Sequence, residues 1–474
     1  MTATAGPAAA PGTGLERTLG VGHIVFMVVA MAAPLTVFAG LIPLMLGTGN
    51  GIGTPVDFVI VGVVLLLFTA GYSAMTPEVR NAGAFYSYVQ RGLGTAAGLG
   101  AAALALVTYS VLMVAVSGYL GASARTVVET FSGASVPWWL LAGAGLAVIG
   151  FLGHRNVDVS ARVLGVLLVA EIGVVAIIDL AITMRGGAGG LTAEPLSWNA
   201  FAGGAPATGI MFAVFGFVGF EATAVFRSEA KDPDRTIPRA TYIAVALIAT
   251  VCAVSAWAMI VGLGVDRAAE LAAGDPEGLA SGLATRYISQ VAHDAVQVLL
   301  VTSFFACVLT AHNVVSRYLF ALGRQGALPP RLGEVHPAHR SPYVASLLTS
   351  AVTGVLVAVT AVAGLDPVIQ VYAWFGGAGT LGLIALLTLT SAAVVVHFRR
   401  RRTASPWHGT IAPALALVAL TGILVLVVAD FEILIGSRAL ADLFLGLLAV
   451  AFLGGLAWAT ILRRSRPAVY AALE

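Results

Sequence analysis

The sequence is poor in charge and in cysteine. Only 10% of its 474 residues are Asp, Glu, Lys or Arg, whereas an average soluble domain has about 25%. A water-soluble globule of this size would need more charge to cover its surface. The composition therefore excludes a cytosolic enzyme, a nucleic-acid-binding protein and a disordered chain. The two cysteines, Cys252 and Cys307, both lie in apolar runs, so no disulfide framework is expected.

The chain is instead rich in long hydrophobic segments. Hydrophobic residues make up 59% of it, and the mean hydropathy is +0.95. Apolar runs of about 20 residues, the length that crosses a bilayer core, recur from end to end. They do not alternate in polarity as barrel strands do, so they are predicted to be helices. We predict twelve transmembrane spans, numbered in chain order, at 20–47, 55–76, 92–121, 137–153, 160–182, 205–228, 238–263, 293–322, 343–363, 367–397, 411–431 and 440–462.

The basic residues are distributed unevenly between the loops. Twenty of the 25 Lys and Arg residues fall in one set of alternate loops and five in the other. The positive-inside rule then predicts a multi-pass protein of the cytoplasmic membrane with both termini in the cytoplasm. Residues 1–15 lack an apolar core and are predicted to be a disordered tail, not a signal peptide. No loop is long enough for a soluble domain, and the longest, 264–292, shows no pattern that suggests a site.

Two of the predicted spans are interrupted. In span 1, Pro34 removes a backbone donor and disfavours helix at Ala33, and Gly40 follows. In span 6, Gly216 and Gly219 loosen the helix just before a glutamate. Two interrupted helices five spans apart are typical of a transporter built from inverted repeats. The alternative is that these small residues only allow close helix packing.

Four acidic residues fall inside the predicted spans. Asp57 and Asp179 lie near helix ends, where the helix dipole or contact with water can stabilise a carboxylate. Glu171 lies in the middle of span 5, and Glu221 follows the glycines of span 6. A carboxylate in hydrocarbon is costly and usually faces the protein interior or water. Glu171 and Glu221 are therefore the candidate functional carboxyls. The alternative is a neutral carboxyl that hydrogen-bonds a neighbouring helix.

Four stretches, in the same order, resemble the amino acid–polyamine–organocation permeases, and the resemblance covers about 15–465. They are Asn81-Ala82-Gly83 with Gly92-Leu93-Gly94, the span-6 stretch Phe215 to Glu221, Lys231-Asp232-Pro233 with Ile237-Pro238-Arg239, and Leu322-Gly323-Arg324 with Leu328-Pro329. The resemblance implies an all-α polytopic membrane protein with a LeuT-type core of ten helices in two inverted five-helix repeats. The core would span 16–397, with repeats at about 20–182 and 205–397. Two peripheral helices would follow at 398–462, then a cytoplasmic tail at 463–474.

The resemblance also implies where a substrate would bind. In the family, broken helices one and six hold the carboxylate and amine of the substrate, and helix six carries an aromatic gate. A lysine in helix five often replaces a sodium ion. Here that lysine position falls on Glu171, a candidate for proton coupling together with Glu221. Phe304 and Trp374 are added as possible aromatic walls for an amine. The predicted substrate-binding residues are Ala33, Pro34, Leu35, Thr36, Gly40, Phe215, Gly216, Gly219, Glu221, Phe304 and Trp374.

Two departures from the family pattern bear on the substrate. The glycine-rich break of helix one is replaced by a proline segment, and Pro34 has no amide to offer a carboxylate, so Thr36 is the alternative donor. The segment resembles that of certain putrescine importers, but Ala39 stands where those have an aspartate. Glu171 replaces lysine and can take up a proton. His312 in span 8 is a candidate second proton carrier, and a hydrogen-bonded packing role is the alternative.

The predicted function is secondary active transport of an amino acid by alternating access, with a proton as the expected coupling ion and sodium as the alternative. A second hypothesis is import or exchange of a polyamine or other organic amine. A channel or membrane sensor is a third. The sequence contains no nucleotide-binding or hydrolase motif, so no enzymatic activity, cofactor or metal is expected. The expected partners are a small-molecule substrate and the lipid bilayer, without nucleic acid.

Overall fold

The computed structural model describes residues 19–79, 85–155, 161–223, 230–401 and 404–473. Within these ranges the regular structure is helical, apart from one isolated bridge between Leu19 and Ala230. Eleven of the described helices are long and apolar enough to cross a membrane. The chain is therefore an all-α, multi-pass membrane protein, as the apolar runs predicted.

The observed spans keep the ordinal numbers of the predicted ones. Most of their bounds lie within a few residues of the prediction, because each apolar run coincides with one helix. They are span 1, Val21–Thr48; span 2, Gly51–Glu78; span 3, Thr95–Ser132; span 5, Gly165–Met184; span 6, Pro206–Thr223; span 7, Pro233–Leu263; span 8, Gln290–Arg324; span 9, Tyr343–Val362; span 10, Pro367–Arg401; span 11, Trp407–Ile435; and span 12, Arg438–Ser465.

The fourth predicted span is not among these eleven. It is a helix, Trp138–Arg155, but it has only 18 residues and its last turn carries His154 and Arg155. Two polar residues in so short a helix lower its mean hydropathy. The prediction of twelve membrane-crossing helices is thus reproduced for eleven within the described residues. The position of the fourth helix is also as predicted, and we keep the name span 4 for it.

Several short helices connect the spans. The segment 264–292, predicted as a plain loop, folds into two of them. All the connecting helices are short, so the hydropathy of a 20-residue run does not reveal them. They are Phe85–Leu93, Trp198–Ala202, Ala268–Gly274 and Leu279–Tyr287, and one more short helix, Pro467–Leu473, follows span 12.

Span 3 is the central helix of the bundle. It packs against spans 4, 8, 10 and 12. In its apolar stretch 78% of the residues are buried, compared with 17% in span 12. Span 12 is therefore peripheral, and exposed side chains such as Leu443, Val450 and Leu453 form its outer face. Gly455 of span 12 allows a close approach, because an added Cβ would lie 2.7 Å from the Cα of Gly100.

The two ends of the bundle differ in charge. Spans 4, 8, 10 and 12 have arginines in their last turns. These are Arg155, Arg324, Arg399 to Arg401, and Arg463 and Arg464. We call the end where they lie the basic end. The two short helices of the segment 264–292 lie at the opposite end.

Candidate functional site: a cavity between two broken helices

Span 1 breaks at Ala33. The helix Val21–Ala32 stops there, since Ala33 has a left-handed backbone with φ 45° and ψ 74°. Pro34 follows and cannot donate a backbone hydrogen bond. The chain continues as the short helix Pro34–Thr36, the π-helical segment Val37–Leu41 and the helix Ile42–Thr48. A left-handed conformation is costly for an alanine, so the surrounding structure must hold this break in place.

Span 6 breaks at its glycines. The helix Pro206–Gly216 ends there, and Gly219 has φ 107°, a value that favours glycine. The side chain of Glu221 closes the break. Its Oε2 atom accepts a hydrogen bond from the Gly219 amide at 2.9 Å, and its Oε1 atom accepts one from the Tyr109 hydroxyl at 2.7 Å. The Tyr72 hydroxyl donates to the Glu221 carbonyl oxygen at 3.2 Å. Glu221 thus fixes the turn and lines the space beside it.

A cavity of about 90 Å³ lies between the two breaks. We call it the central cavity. Five of the predicted binding residues line it: Thr36, Phe215, Gly216, Gly219 and Glu221. Its wall also includes residues that were not predicted to bind substrate, among them Tyr109, Leu112, Val116, Cys307, Val314 and Tyr372. Of its described lining residues only Glu221 is acidic and none is basic, so the cavity carries one carboxylate in an apolar wall.

A chain of hydroxyl groups connects the central cavity to Glu171. Ser303 of span 8 donates a hydrogen bond to Glu171 Oε2 at 2.8 Å. The Ser303 hydroxyl also lies 2.8 Å from the hydroxyl of Thr36, which lines the cavity. Glu171 itself is 5% exposed. When Glu171 is ionised it only accepts hydrogen bonds, so Ser303 must donate to it and Thr36 must donate to Ser303. We call this chain the hydroxyl relay.

Aromatic rings close one side of the central cavity. Tyr119 stacks on Phe304 with ring centres 4.4 Å apart, and Tyr372 meets Tyr119 edge-on at 5.0 Å. The ring of Phe215 lies 5.4 Å from that of Tyr372. We call these four rings the aromatic plug. Gly40 packs against it, because an added Cβ would come within 2.9 Å of the Phe304 ring.

A larger cavity of about 680 Å³ lies on the other side of the plug, at the end opposite the basic end. We call it the vestibule. Tyr119 and Ala39 contribute to its lining, and the Tyr119 hydroxyl donates a hydrogen bond to the Ala39 carbonyl oxygen at 3.1 Å. Polar residues of 264–292, among them Asp275 and Glu277, form part of its wall. The segment 264–292, whose sequence shows no pattern that suggests a site, thus forms part of the wall of a cavity.

Six predicted binding residues lie outside the lining of the central cavity. Ala33, Pro34 and Leu35 form the break itself and are buried. Gly40 and Phe304 belong to the plug side, whereas Trp374 lies in the π-helical segment Pro367–Phe375 of span 10. That segment instead brings Tyr372 to the cavity. One sequence signal could have extended the list of predicted binding residues: a tyrosine within an apolar span, such as Tyr109, which lines the central cavity.

Three other polar residues of the spans that the sequence analysis considered, Asp57, Asp179 and His312, have local hydrogen-bond partners. Asp57 lies in the first turn of Thr54–Met75, as predicted, and accepts a hydrogen bond from the Asn50 amide at 3.0 Å. Asp179 accepts one from Ser255 at 2.6 Å. His312 faces span 9, with Nε2 2.9 Å from the Ser350 hydroxyl, and is not in the lining of the central cavity. Its geometry fits the packing alternative.

Comparison with known proteins places these features in a family. Residues 23–469 match the family model described as Amino acid permease. The chain is 26% identical to the low-affinity putrescine importer PlaP of Escherichia coli strain K12 over 356 residues, which cover 71% of this chain and 74% of that protein. It is 23% identical to the branched-chain amino acid permease BcaP of Bacillus subtilis over 384 residues, covering 74% and 75%.

Proposed function

The chain belongs to the amino acid permease family, and from this premise we propose that it carries an amino acid across the cytoplasmic membrane by alternating access, in symport with a proton. The observation that supports the proposal is the hydroxyl relay. It connects a buried carboxyl outside the central cavity to a hydroxyl on the broken helix that lines it.

The central cavity suits the ammonium group of a small substrate. Glu221 is the only acidic side chain of its described lining, and no basic side chain competes for it. Its two oxygens already accept hydrogen bonds from Tyr109 and Gly219, but each carboxylate oxygen has a further lone pair. One water needs roughly 10–15 Å³ of such a cavity, so about 90 Å³ favours a small amino acid.

The hydroxyl relay supplies a way to couple a proton to substrate binding. With Glu171 ionised, the Thr36 proton points to Ser303 and the Thr36 oxygen can only accept from the cavity. When Glu171 is protonated, it can donate to Ser303 and Ser303 can donate to Thr36. The Thr36 proton is then free for the cavity, where it can bind a substrate carboxylate. Protonation and binding of an amino acid would therefore favour each other.

An organic amine is the second candidate substrate. The acidic lining favours it, and so does the similarity to a putrescine importer. A diamine has no carboxylate, so its binding would not need a proton from Thr36. The two candidates therefore differ in whether uptake depends on the hydroxyl relay.

Uptake into proteoliposomes tests the proposal. We expect labelled alanine or leucine to accumulate with saturable kinetics when the outside is acidic, and accumulation to collapse when a protonophore removes the gradient. Thr36→Val should abolish the dependence of uptake on the gradient. Thr388→Val is a matched control, because the Thr388 hydroxyl in span 10 donates to a carbonyl of its own helix, that of Ile384. Uptake of putrescine that ignores the pH gradient would instead support the second candidate. Flux that does not saturate would indicate a channel.

The charge of the two ends supports an orientation. We propose that the basic end faces the cytoplasm, as the positive-inside rule predicts, so that both termini are cytoplasmic and the vestibule opens outward. A cysteine placed at Gly189, which is exposed at the opposite end, should react with an impermeant thiol reagent in whole cells. Failure to react until the cells are permeabilised would reverse the assignment.

A further inference from the structure

The vestibule contains a weakly held ion pair. Arg125, near one end of span 3, lies 3.6 Å from Glu277. Their side chains are 32% and 24% exposed, so water competes with the pair and its two partners can separate. Glu277 lies between the two short helices Ala268–Gly274 and Leu279–Tyr287, and both residues line the vestibule.

The surroundings of Glu277 are short of positive charge. Burial raises the pKa of the Glu277 carboxyl; Arg125 opposes that shift, whereas Asp366, Asp275 and Glu129 add to it. The other guanidinium in the lining, Arg286, lies over the ring of Tyr287, 5.4 Å from its centre. His293 is also in the lining, and its Nδ1 atom is engaged by Thr285 and Ser281. Glu277 thus has one close cationic partner against three carboxyl neighbours.

A second polar group in the same cavity lacks a partner. The Oε1 atom of Gln297 is buried and accepts no hydrogen bond in the described part of the chain, and Gln297 lines the vestibule. A buried acceptor without a donor is unfavourable by itself. A ligand that brings N–H donors into the vestibule would satisfy it. An ammonium group has three such donors, and it would bring positive charge to the carboxylate of Glu277.

We propose that the vestibule is a first binding site for the ammonium group of the substrate. Glu277 and Gln297 accept hydrogen bonds from the ammonium, which displaces Arg125 from Glu277. This inference rests on the proposed function in taking the ammonium to be that of the transported molecule. Displaced Arg125 is then free to bind a carboxylate, so the site fits an α-amino acid as well as a diamine. Tyr119 and Ala39 in its lining connect the site to the aromatic plug.

Charged thiol reagents test this inference without any need for transport. In protein with Cys252→Ala and Cys307→Ala, a cysteine at Thr126 reports on the vestibule, since Thr126 is in its lining. A cysteine at the exposed Gly189 is the reference. We expect a trimethylammonium methanethiosulfonate to react with Thr126→Cys at least about fivefold faster than a sulfonate analogue, relative to the reference, at low salt.

Two substitutions decide which carboxyl causes the preference. Glu277→Gln should remove most of it, whereas Glu194→Gln, an exposed glutamate at the same end and outside the vestibule, should leave it unchanged. At constant ionic strength, millimolar putrescine or alanine should slow the labelling of Thr126→Cys, and sodium propionate should not. Protection by alanine that needs Arg125 would indicate the zwitterion, and protection by putrescine alone would indicate the diamine.

The inference fails if the anionic reagent reacts as fast as the cationic one, or if neither amine protects. A melting curve for each variant shows whether it is folded, so a loss of preference in unfolded protein is not counted. The result is also separable from the proposed function. Protection without uptake in proteoliposomes would leave the vestibule site standing and remove the transport cycle. Uptake without protection would do the reverse.

Discussion

The two breaks that enclose the central cavity are built differently. In span 6 the break uses a glycine with φ 107°, and the side chain of Glu221 bonds back to the Gly219 amide. In span 1 the break uses Ala33, a residue with a side chain, at φ 45°, and no side chain caps the helix that follows. The span-6 break is therefore stabilised within its own segment as well as by Tyr72 and Tyr109 of other helices, whereas the span-1 break depends on its neighbours alone.

This difference separates two tasks. A break fixed by its own glycine and glutamate presents the Glu221 carboxylate at a constant position, which suits binding. A left-handed alanine costs about 1–2 kcal/mol, and three residues after Ala33 the Thr36 hydroxyl bonds Ser303 of another helix. On the proposed function, a change at Ser303 or Glu171 would reach the span-1 break through this bond. We infer that span 6 provides the binding position and span 1 the response to the proton.

The largest effect is expected from removing the Glu221 side chain. Glu221→Ala leaves the buried Tyr109 hydroxyl and the Gly219 amide without an acceptor, and each such group costs about 1–3 kcal/mol. We expect a destabilisation of about 2–6 kcal/mol, measured as a lower melting temperature in detergent, together with loss of uptake. Glu221→Gln keeps an acceptor and removes the charge, so it should melt near the wild type and bind at least about tenfold more weakly, or 1.4 kcal/mol.

Tyr109→Phe is the matched control for this prediction. It removes one hydrogen bond to Glu221 and keeps the charge, so its effect on stability should be about 1 kcal/mol and its substrate affinity should fall less than that of Glu221→Gln. Equal losses of affinity in the two variants would mean that the carboxylate shapes the turn and does not bind the ammonium.

The next largest effect is expected at the other end of the hydroxyl relay. Glu171→Gln cannot release a proton, so we expect exchange of substrate across the membrane to continue while uptake driven by a pH gradient falls to background. Ser303→Ala interrupts the relay and should give the same pattern with Glu171 intact. Asp179→Asn is the control, because Asp179 is a carboxyl of the same span bonded to Ser255 and outside the relay. Gradient-driven uptake by Glu171→Gln would contradict the assignment.

The difference between the breaks also shows how far the sequence could predict the molecule. The helix bounds and both breaks follow from local features, namely apolar runs, proline and glycine. Glu171 and Glu221 stand out because a carboxylate in hydrocarbon is rare. The hydroxyl relay could not be predicted, since Thr36 and Ser303 are 267 residues apart and meet only through helix packing. Nor does the sequence reveal that span 10 contains a π-helical segment, in which Tyr372, and not the predicted Trp374, lines the central cavity.

A smaller effect is expected from a methyl group at the span-6 break. Gly219→Ala puts a side chain at φ 107°, a conformation that costs about 1–3 kcal/mol, of which the lower entropy of the unfolded alanine chain offsets about 0.4–1 kcal/mol. We expect a net loss of about 1–2 kcal/mol in stability and a weaker substrate affinity, because the Glu221 contact moves with the turn. Gly173→Ala in span 5, where the backbone is helical and an added Cβ meets nothing within 4 Å, should instead stabilise the protein slightly, by about 0.4–1 kcal/mol.

The smallest effect is expected from the reverse change at the span-1 break. Ala33→Gly relieves about 1–2 kcal/mol of backbone strain. It also removes a buried methyl, as Ala33 is 3% exposed, at about 0.8 kcal/mol, and gives the unfolded chain more freedom, at about 0.4–1 kcal/mol. These contributions nearly cancel, so the melting temperature should change little, in contrast to Gly219→Ala. A loss as large as that of Gly219→Ala would show that the Ala33 methyl holds the break by packing. Both breaks would then be stabilised by their own residues, and the structure would no longer favour span 1 as the helix that responds to the proton.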